Sequence, residues 1–138
     1  MKDVAYIALG SNLGRREVFL AQARSRIAAL DKTRVLAQTD AEETAPLGPV
    51  AQGPFLNQMI AIETELSPRE LLEELHRIEA EAGRVRAERW GPRTLDLDIV
   101  LFERQSVTEP GRTVPHPQLT NRDFWLRELT TLRSARVG

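Results

Sequence analysis

The sequence predicts an α+β fold. Its core is a ferredoxin-like βαββαβ unit, an antiparallel sheet with helices packed on it, extended C-terminally by a hairpin and a helix. Three observations predict it. An apolar run over Val4–Leu9 ends in Gly10-Ser11-Asn12-Leu13-Gly14. Ser67-Pro68-Arg69-Glu70 is a capping box with proline at the first helical position. From Thr94 to Phe102 the chain alternates apolar and acidic residues with the period of a strand.

The elements follow in order. Val4–Leu9 is a buried strand, and Gly10–Gly14 a turn. Arg15–Leu30 reads as a helix with Phe19, Ala23, Ile27 and Leu30 near one face. Arg34 to about Ala41 is a second strand. Ala45–Pro54 holds three prolines and two glycines and is a loop. Phe55–Glu65 is a third strand, with Leu56, Gln58, Ile60 and Ile62 on one face and Phe55, Asn57, Met59 and Ala61 on the other. The capped helix carries a stripe of Leu71, Leu72, Leu75 and Ile78, pairs Glu73 with Arg77, and stops at Gly83. Arg84–Arg93 is a loop. Thr94–Phe102 is the fourth strand, with Leu95, Leu97, Ile99 and Leu101 on one face and Asp96 and Asp98 on the other. A turn or small hairpin over Glu103–Thr113 leads to Val114-Pro115-His116-Pro117, which two prolines hold extended. Asp123 to about Leu132 is a last helix. With both helices on the leucine face, the aspartates are expected on the open face of the sheet.

Length and composition bound the function. A chain of 138 residues is expected to be one domain spanning 1–138. Its net charge of −1 argues against a dedicated nucleic-acid binder. It contains no cysteine, so disulfides, thiolate metal sites and cysteine nucleophiles are excluded. The N-terminus lacks the apolar region of a secretion signal, and no apolar stretch reaches membrane-spanning length. A cytoplasmic location, with no membrane partner, is expected. Arginine makes up 17 of the 19 basic residues. Genome composition accounts for such a bias, so only arginines with a local context carry a role.

The chemistry concentrates around the fourth strand. Asp96 and Asp98 are separated by roughly 6–7 Å of backbone on one face. Carboxylates converging from that spacing can share one ion, or a pair of ions about 3.5–4 Å apart. Such a pair requires water or cations, because unpaired buried charge is costly. Arg84, Arg86, Arg89 and Arg93 lie just upstream, around Trp90-Gly91-Pro92. An acidic pair beside an arginine-rich loop suits Mg²⁺ and polyphosphate. A solvated acidic edge balanced by a basic loop is the alternative. No Walker A motif follows Gly10–Gly14, so a nucleotide would be held by arginines and metal. Phe55 and Phe124 can offer apolar faces to a flat ring, or can be core. Asn57 offers a donor and an acceptor on a strand, where amides are depleted. His116, between two prolines, can donate to a phosphate oxygen. His76 and Glu79 are expected on the solvated side of their helix.

The Gly-Ser-Asn-Leu-Gly turn, the block Arg89-Trp90-Gly91-Pro92-Arg93-Thr94-Leu95-Asp96-Leu97-Asp98, and Val114-Pro115-His116-Pro117 with Asn121-Arg122-Asp123-Phe124 resemble the 6-hydroxymethyl-7,8-dihydropterin pyrophosphokinase family. The likeness spans roughly residues 4 to 126, and the arginine–aspartate block carries most of its specificity. The resemblance implies transfer of pyrophosphate from ATP to a pterin alcohol, by in-line attack on the β-phosphorus with AMP leaving. It implies that Asp96 and Asp98 hold two Mg²⁺ ions. Arg84, Arg93, His116 and Arg122 would contact the ATP phosphates, with Arg84 and Arg93 also counted as catalytic. Arg86 and Trp90 would sit on a closing loop. Thr44, Leu47, Phe55, Asn57 and Phe124 would line the pterin site. The family also implies that Glu79 approaches the site, although the residues by themselves read as a surface carboxylate. Arg112 receives no role. After the last helix the family's proline-leucine step and isoleucine-alanine-proline segment have no counterpart here. The partners implied are ATP and the pterin alcohol, with no nucleic acid, and the protein is expected to be a monomer.

Two other readings use the same residues. The fold also serves small-molecule-binding and RNA-binding modules, but RNA recognition needs stacking aromatics on a sheet face that here presents aspartates. A metal-dependent phosphohydrolase would use the same aspartate pair.

Overall fold

The computed structural model describes residues 2–45, 53–83 and 95–137. The strands are β1 (Asp3–Ser11), β2 (Thr33–Gln38), β3 (Glu42–Thr44), β4 (Phe55–Thr64), β5 (Asp96–Phe102), β6 (Val107–Glu109) and β7 (Arg112–Val114). The helices are α1 (Arg16–Ala28), α2 (Pro68–Glu81) and α3 (Asp123–Val137). The main sheet runs β2-β4-β1-β5, with β3 also pairing β4, and β6-β7 form a separate hairpin. All of these pairings are antiparallel. The α+β class and the order of the six expected elements agree with the sequence reading.

Local chemistry explains the elements. Ser67 Oγ accepts from the Glu70 N–H at 3.1 Å while the Glu70 carboxylate accepts from the Ser67 N–H at 2.8 Å. This reciprocal pair opens α2 as expected. Gly83, at φ +79°, follows its end. The expected Glu73–Arg77 pair does not form. Arg77 reaches Glu74 at 2.7 Å, and Glu73 accepts from Arg69 at 3.4 Å. Gly10 and Ser11 belong to β1 rather than to a turn, because β4 and β5 extend its ladder that far. The left-handed turn residue is Gly14, at φ +74°. The short β3 was not anticipated, and α3 runs on to Val137.

The sheet has two covered faces. Ile7, Leu9, Ile60, Ile62, Leu97 and Ile99 pack under α1 and α2 against Leu20, Ala23, Ile27, Leu71 and Leu75. The other face was expected to be open. Instead α3 lays Trp125, Leu129 and Leu132 on Tyr6, Ala8, Met59, Ala61, Val100 and Leu101. The reason lies in how that face changes along the strands. At one end it is apolar and must be covered. At the other it carries Gly10, Asn57, Asp96 and Asp98.

Leu101 is not on the face of Leu97 and Ile99. The β1–β5 register shifts between Tyr6 and Ile7, so that Ile7 opposes Ile99 while Tyr6 opposes Leu101. Val100 is the extra residue of this bulge, and it reverses the alternation beyond it. Leu101 thereby joins the α3 side, and Phe102 the α1–α2 side.

Candidate active site

One row of residues crosses the polar end of the second face. Glu42 opposes Asn57, Asn57 opposes Gly10, and Gly10 opposes Asp96. Paired residues in a sheet turn their side chains to the same face, so an acid, an amide, a gap and an acid follow one another. The gap is Gly10. A Cβ built there would lie 3.3 Å from Asn57 Oδ1 and 3.5 Å from Phe55 Cδ1. In the next row Asp98 opposes Ala8. Asp96 and Asp98 are both half-buried, as the pattern of β5 requires.

The aspartates open onto a cleft of about 460 Å³. Pro68, Leu72, His76 and Glu79 of α2 and its cap line one side; Val114, His116, Gln118 and Arg122 line the other. A cleft of this size suits a nucleotide-sized ligand. His76 is exposed, as expected. Glu79 is not: it is 2% exposed and accepts the backbone N–H of Leu97 at 2.8 Å. The expectation of a surface carboxylate fails because β5 is an edge of the main sheet. An outward-facing N–H in the middle of the Asp96–Asp98 segment needs an acceptor, and α2 supplies it.

His116 has a defined orientation. Its Nδ1 accepts the Gln118 N–H at 3.0 Å, which leaves Nε2 to carry the proton of the neutral ring. Nε2 lies 3.5 Å from Asp98 Oδ1. The His116 N–H donates to the Val100 carbonyl at 2.7 Å, and its ring meets the Trp125 edge at a centroid distance of 4.9 Å. Arg122 stacks on the other part of this assembly, with Cζ 4.3 Å from the Trp125 ring centroid. Its Nε is buried without a hydrogen-bond partner among the described residues. A guanidinium held by its flat face keeps its edge donors for an anion.

The expected ring-binding residues gather beside this cleft. Asn57 is 8% exposed, and its amide nitrogen donates to Thr44 Oγ1. Thr44 opposes Phe55 across β3–β4. Phe124 opens α3 and packs, half-buried, against the core on that side. Nearby, Arg16 donates to the Pro54 carbonyl at 3.0 Å and pairs with Glu43 at 2.6 Å. Asn12 of the glycine turn donates to the Gly53 carbonyl at 3.2 Å.

Asp96, Asp98, His116 and Arg122 are thus brought together, as are Thr44, Phe55 and Asn57, while Phe124 packs against the core under α3. Leu47, Arg84, Arg86, Trp90 and Arg93 lie outside the described residues. Sequence reasoning missed Gly10 as a site residue and misjudged Glu79. The signal for Gly10 was its position in phase with the expected strand. Among the described residues no group of three or more histidine, cysteine or acidic side chains surrounds one point. That donor set, two carboxylates on a half-open cleft, fits magnesium. This hard cation keeps waters and takes phosphate oxygens beside one or two carboxylates.

Comparison with known proteins agrees with this geometry. Residues 6–134 match the family described as 7,8-dihydro-6-hydroxymethylpterin-pyrophosphokinase (HPPK). The chain is 46% identical over 135 residues to a 2-amino-4-hydroxy-6-hydroxymethyldihydropteridine pyrophosphokinase of Bacillus subtilis, covering 96% of this chain and 79% of that protein. A protein of the same name from Haemophilus influenzae is 45% identical over 130 residues, covering 94% and 81%. Another, from Pseudomonas aeruginosa, is 44% identical over 127 residues, covering 92% and 78%. With the match running from β1 into α3, through both aspartates, this chain belongs to the HPPK family.

Proposed function

We infer that this chain transfers the pyrophosphoryl group of ATP to the hydroxymethyl group of 6-hydroxymethyl-7,8-dihydropterin, releasing AMP, as a step of folate synthesis. One observation carries the reading. The row from Asn57 across Gly10 to Asp96 sets the Asn57 amide on the same sheet face as the two aspartates of the cleft that His116 and Arg122 also line.

The residues divide the work. Asn57 and Thr44 meet the in-plane edge of the pterin, and Phe55 and Phe124 cover its faces. Leu47 completes that wall. A ring held there points its hydroxymethyl oxygen toward the aspartate end of the row. Arg122 and the Nε2–H of His116, which lies beside Asp98, hold phosphate oxygens. Arg84 and Arg93 add cations from the neighbouring loop, and Arg86 and Trp90 close over the bound nucleotide. Asp96 and Asp98 would hold two Mg²⁺ ions, which when bound would neutralise phosphate charge. Catalysis then rests on alignment and fixed charge, because this class of transfer leaves the protein little covalent work.

Other attributes follow from the same reading. The chain acts as one catalytic domain over residues 1–138 and as a monomer. It works in the cytoplasm without a membrane or nucleic-acid partner. In support, no helix among the described residues is long and apolar enough to cross a membrane, and the net charge is −1.

Incubation with ATP and Mg²⁺, with and without the pterin alcohol, tests the reading. AMP release that depends on the pterin is expected. Free phosphate without the pterin would identify a phosphohydrolase, and binding without turnover a recognition module.

A further inference from the structure

Away from the aspartates, an acidic side chain of α3 and one of β3 each carry buried oxygens without a partner among the described residues. Glu128 is 4% exposed, and neither of its carboxylate oxygens has a hydrogen-bond partner among the described residues. Glu42 Oε1 is likewise buried without a partner among them. Its Oε2 accepts from Arg127 Nη1 at 3.2 Å, which brings Glu42 to the turn of α3 that carries Glu128. Three buried carboxylate oxygens facing no donor make a costly arrangement if both groups are ionised. One added proton changes that, because a neutral carboxyl both donates and accepts.

We propose that Glu42 and Glu128 share one proton at neutral pH, and that this carboxyl–carboxylate pair fastens helix α3 to strand β3. The surroundings favour it. The strands beneath α3 present Leu36, Ala37, Met59 and Ala61, all apolar. On β4 the Asn57 amide, which opposes Glu42, donates to Thr44. Among the described residues the cation bearing on the pair is Arg127, and it is engaged by Glu42. Burial, reinforced by the Glu42 charge and opposed by Arg127, pushes the Glu128 carboxyl up to about 8.

The consequence for stability has a definite sign. In the unfolded chain Glu128 ionises near its ordinary 4.5, while in the folded chain it holds its proton to about 8. The stabilisation is therefore complete below 4.5 and is lost as pH rises toward 8. Above that range two carboxylates repel across the α3–β3 contact. Phe124 lies one helical turn before Glu128, and Thr44 two residues beyond Glu42 on the same strand face. On the reading that Phe124 and Thr44 line the pterin site, ionisation loosens both walls, and pterin affinity falls in the alkaline range.

Melting temperatures of the wild type and Glu128→Gln across roughly pH 4.5–9 test the pair. Glutamine keeps the shape and can donate to Glu42 without titrating. The two proteins should melt together near pH 4.5, with the variant several degrees higher by about pH 8. Parallel curves would overturn the shared proton. A carboxyl ¹³C titration of the wild type tests the same point without a variant: a Glu128 midpoint in the ordinary carboxylate range overturns it. Binding of a pterin analogue should weaken several-fold between about pH 6.5 and 9 in the wild type and stay constant in Glu128→Gln. Diverging melting curves with pH-independent affinity would uphold the pair and overturn its link to the pocket. Absence of pterin binding at every pH would overturn the functional reading instead.

Discussion

Glu79 of α2 accepts the backbone N–H of Leu97 at 2.8 Å, in the middle of the segment that carries Asp96 and Asp98. A helix side chain thus fixes the edge strand at the point from which both aspartates project. The bond is buried, with Glu79 2% and Leu97 3% exposed. The amphipathic packing of α2 against β5 is thereby tied to the geometry of the proposed metal ligands.

Glu79→Ala should therefore harm both stability and activity. It leaves a buried N–H unsatisfied, which costs about 1–3 kcal/mol. In a domain of this size that corresponds to a fall in melting temperature of roughly 3–10 °C. Glu79→Gln keeps an oxygen for the Leu97 N–H and should recover most of the stability. Equal melting temperatures for Glu79→Ala and the wild type would show that the bond does not support the strand.

Asp96→Ala and Asp98→Ala should behave in the opposite way. Both side chains are half-buried on a cleft rather than packed in the core. Thermal stability should change little, while kcat falls on the order of 100-fold or more, as expected for loss of several kcal/mol of charge stabilisation. Parallel measurement of kcat and melting temperature separates the effects. Near-normal turnover in either variant would remove that residue from the metal site.

The fold was legible wherever one local signal sufficed. The capping box set the start of α2, and the alternation of Phe55–Thr64 assigned both faces of β4 correctly. The misreadings were cross-strand or tertiary in origin. The face of Leu101 depends on a bulge that exists only through pairing with β1. The second covered face depends on α3, whose apolar residues did not reveal which side of the sheet they would meet. The site divides in the same way. Asp96, Asp98, His116 and Arg122 stand in compact motifs, and their convergence follows from the β5–β7–α3 order. Glu79 lies on a helix whose periodicity alone could not show that its end would press on a strand edge. Gly10 has no side chain to announce a role, and its meaning emerged only from the register that sets it between Asn57 and Asp96.

His116 offers two ring nitrogens with separate tasks, so substitutions can divide them. His116→Asn retains an oxygen near the Nδ1 position to accept the Gln118 N–H and loses the Nε2 donor. It should melt close to the wild type yet bind ATP about tenfold more weakly, the usual scale for one hydrogen bond to a charged group. His116→Gln restores a donor near Nε2 and should regain part of the affinity. Titration of ATP with Mg²⁺ against both variants checks this. An Asn variant that binds ATP as tightly as the wild type would confine His116 to holding its own turn.

Gly10 stands between Asn57 and Asp96 in the row, and two substitutions probe this part of the proposed pterin site from different sides. Asn57→Ala removes the amide proposed to meet the pterin edge, which would leave ligand polar groups unpaired. It should weaken pterin binding by about tenfold or more. Gly10→Ala adds a methyl group 3.3 Å from Asn57 Oδ1 and 3.5 Å from the Phe55 ring. The amide and the ring must both give way, which displaces two of the proposed pterin contacts. The β1 backbone at Gly10 has no left-handed φ, so alanine introduces no conformational strain. The expected result is weaker pterin binding with ATP affinity within about twofold of the wild type, since no phosphate-binding side chain moves. Separate titrations of a pterin analogue and of ATP with Mg²⁺ decide the matter. Equal losses for both ligands in Gly10→Ala would mean that the glycine serves the sheet, and unchanged pterin affinity would show that the ring does not lie over β1.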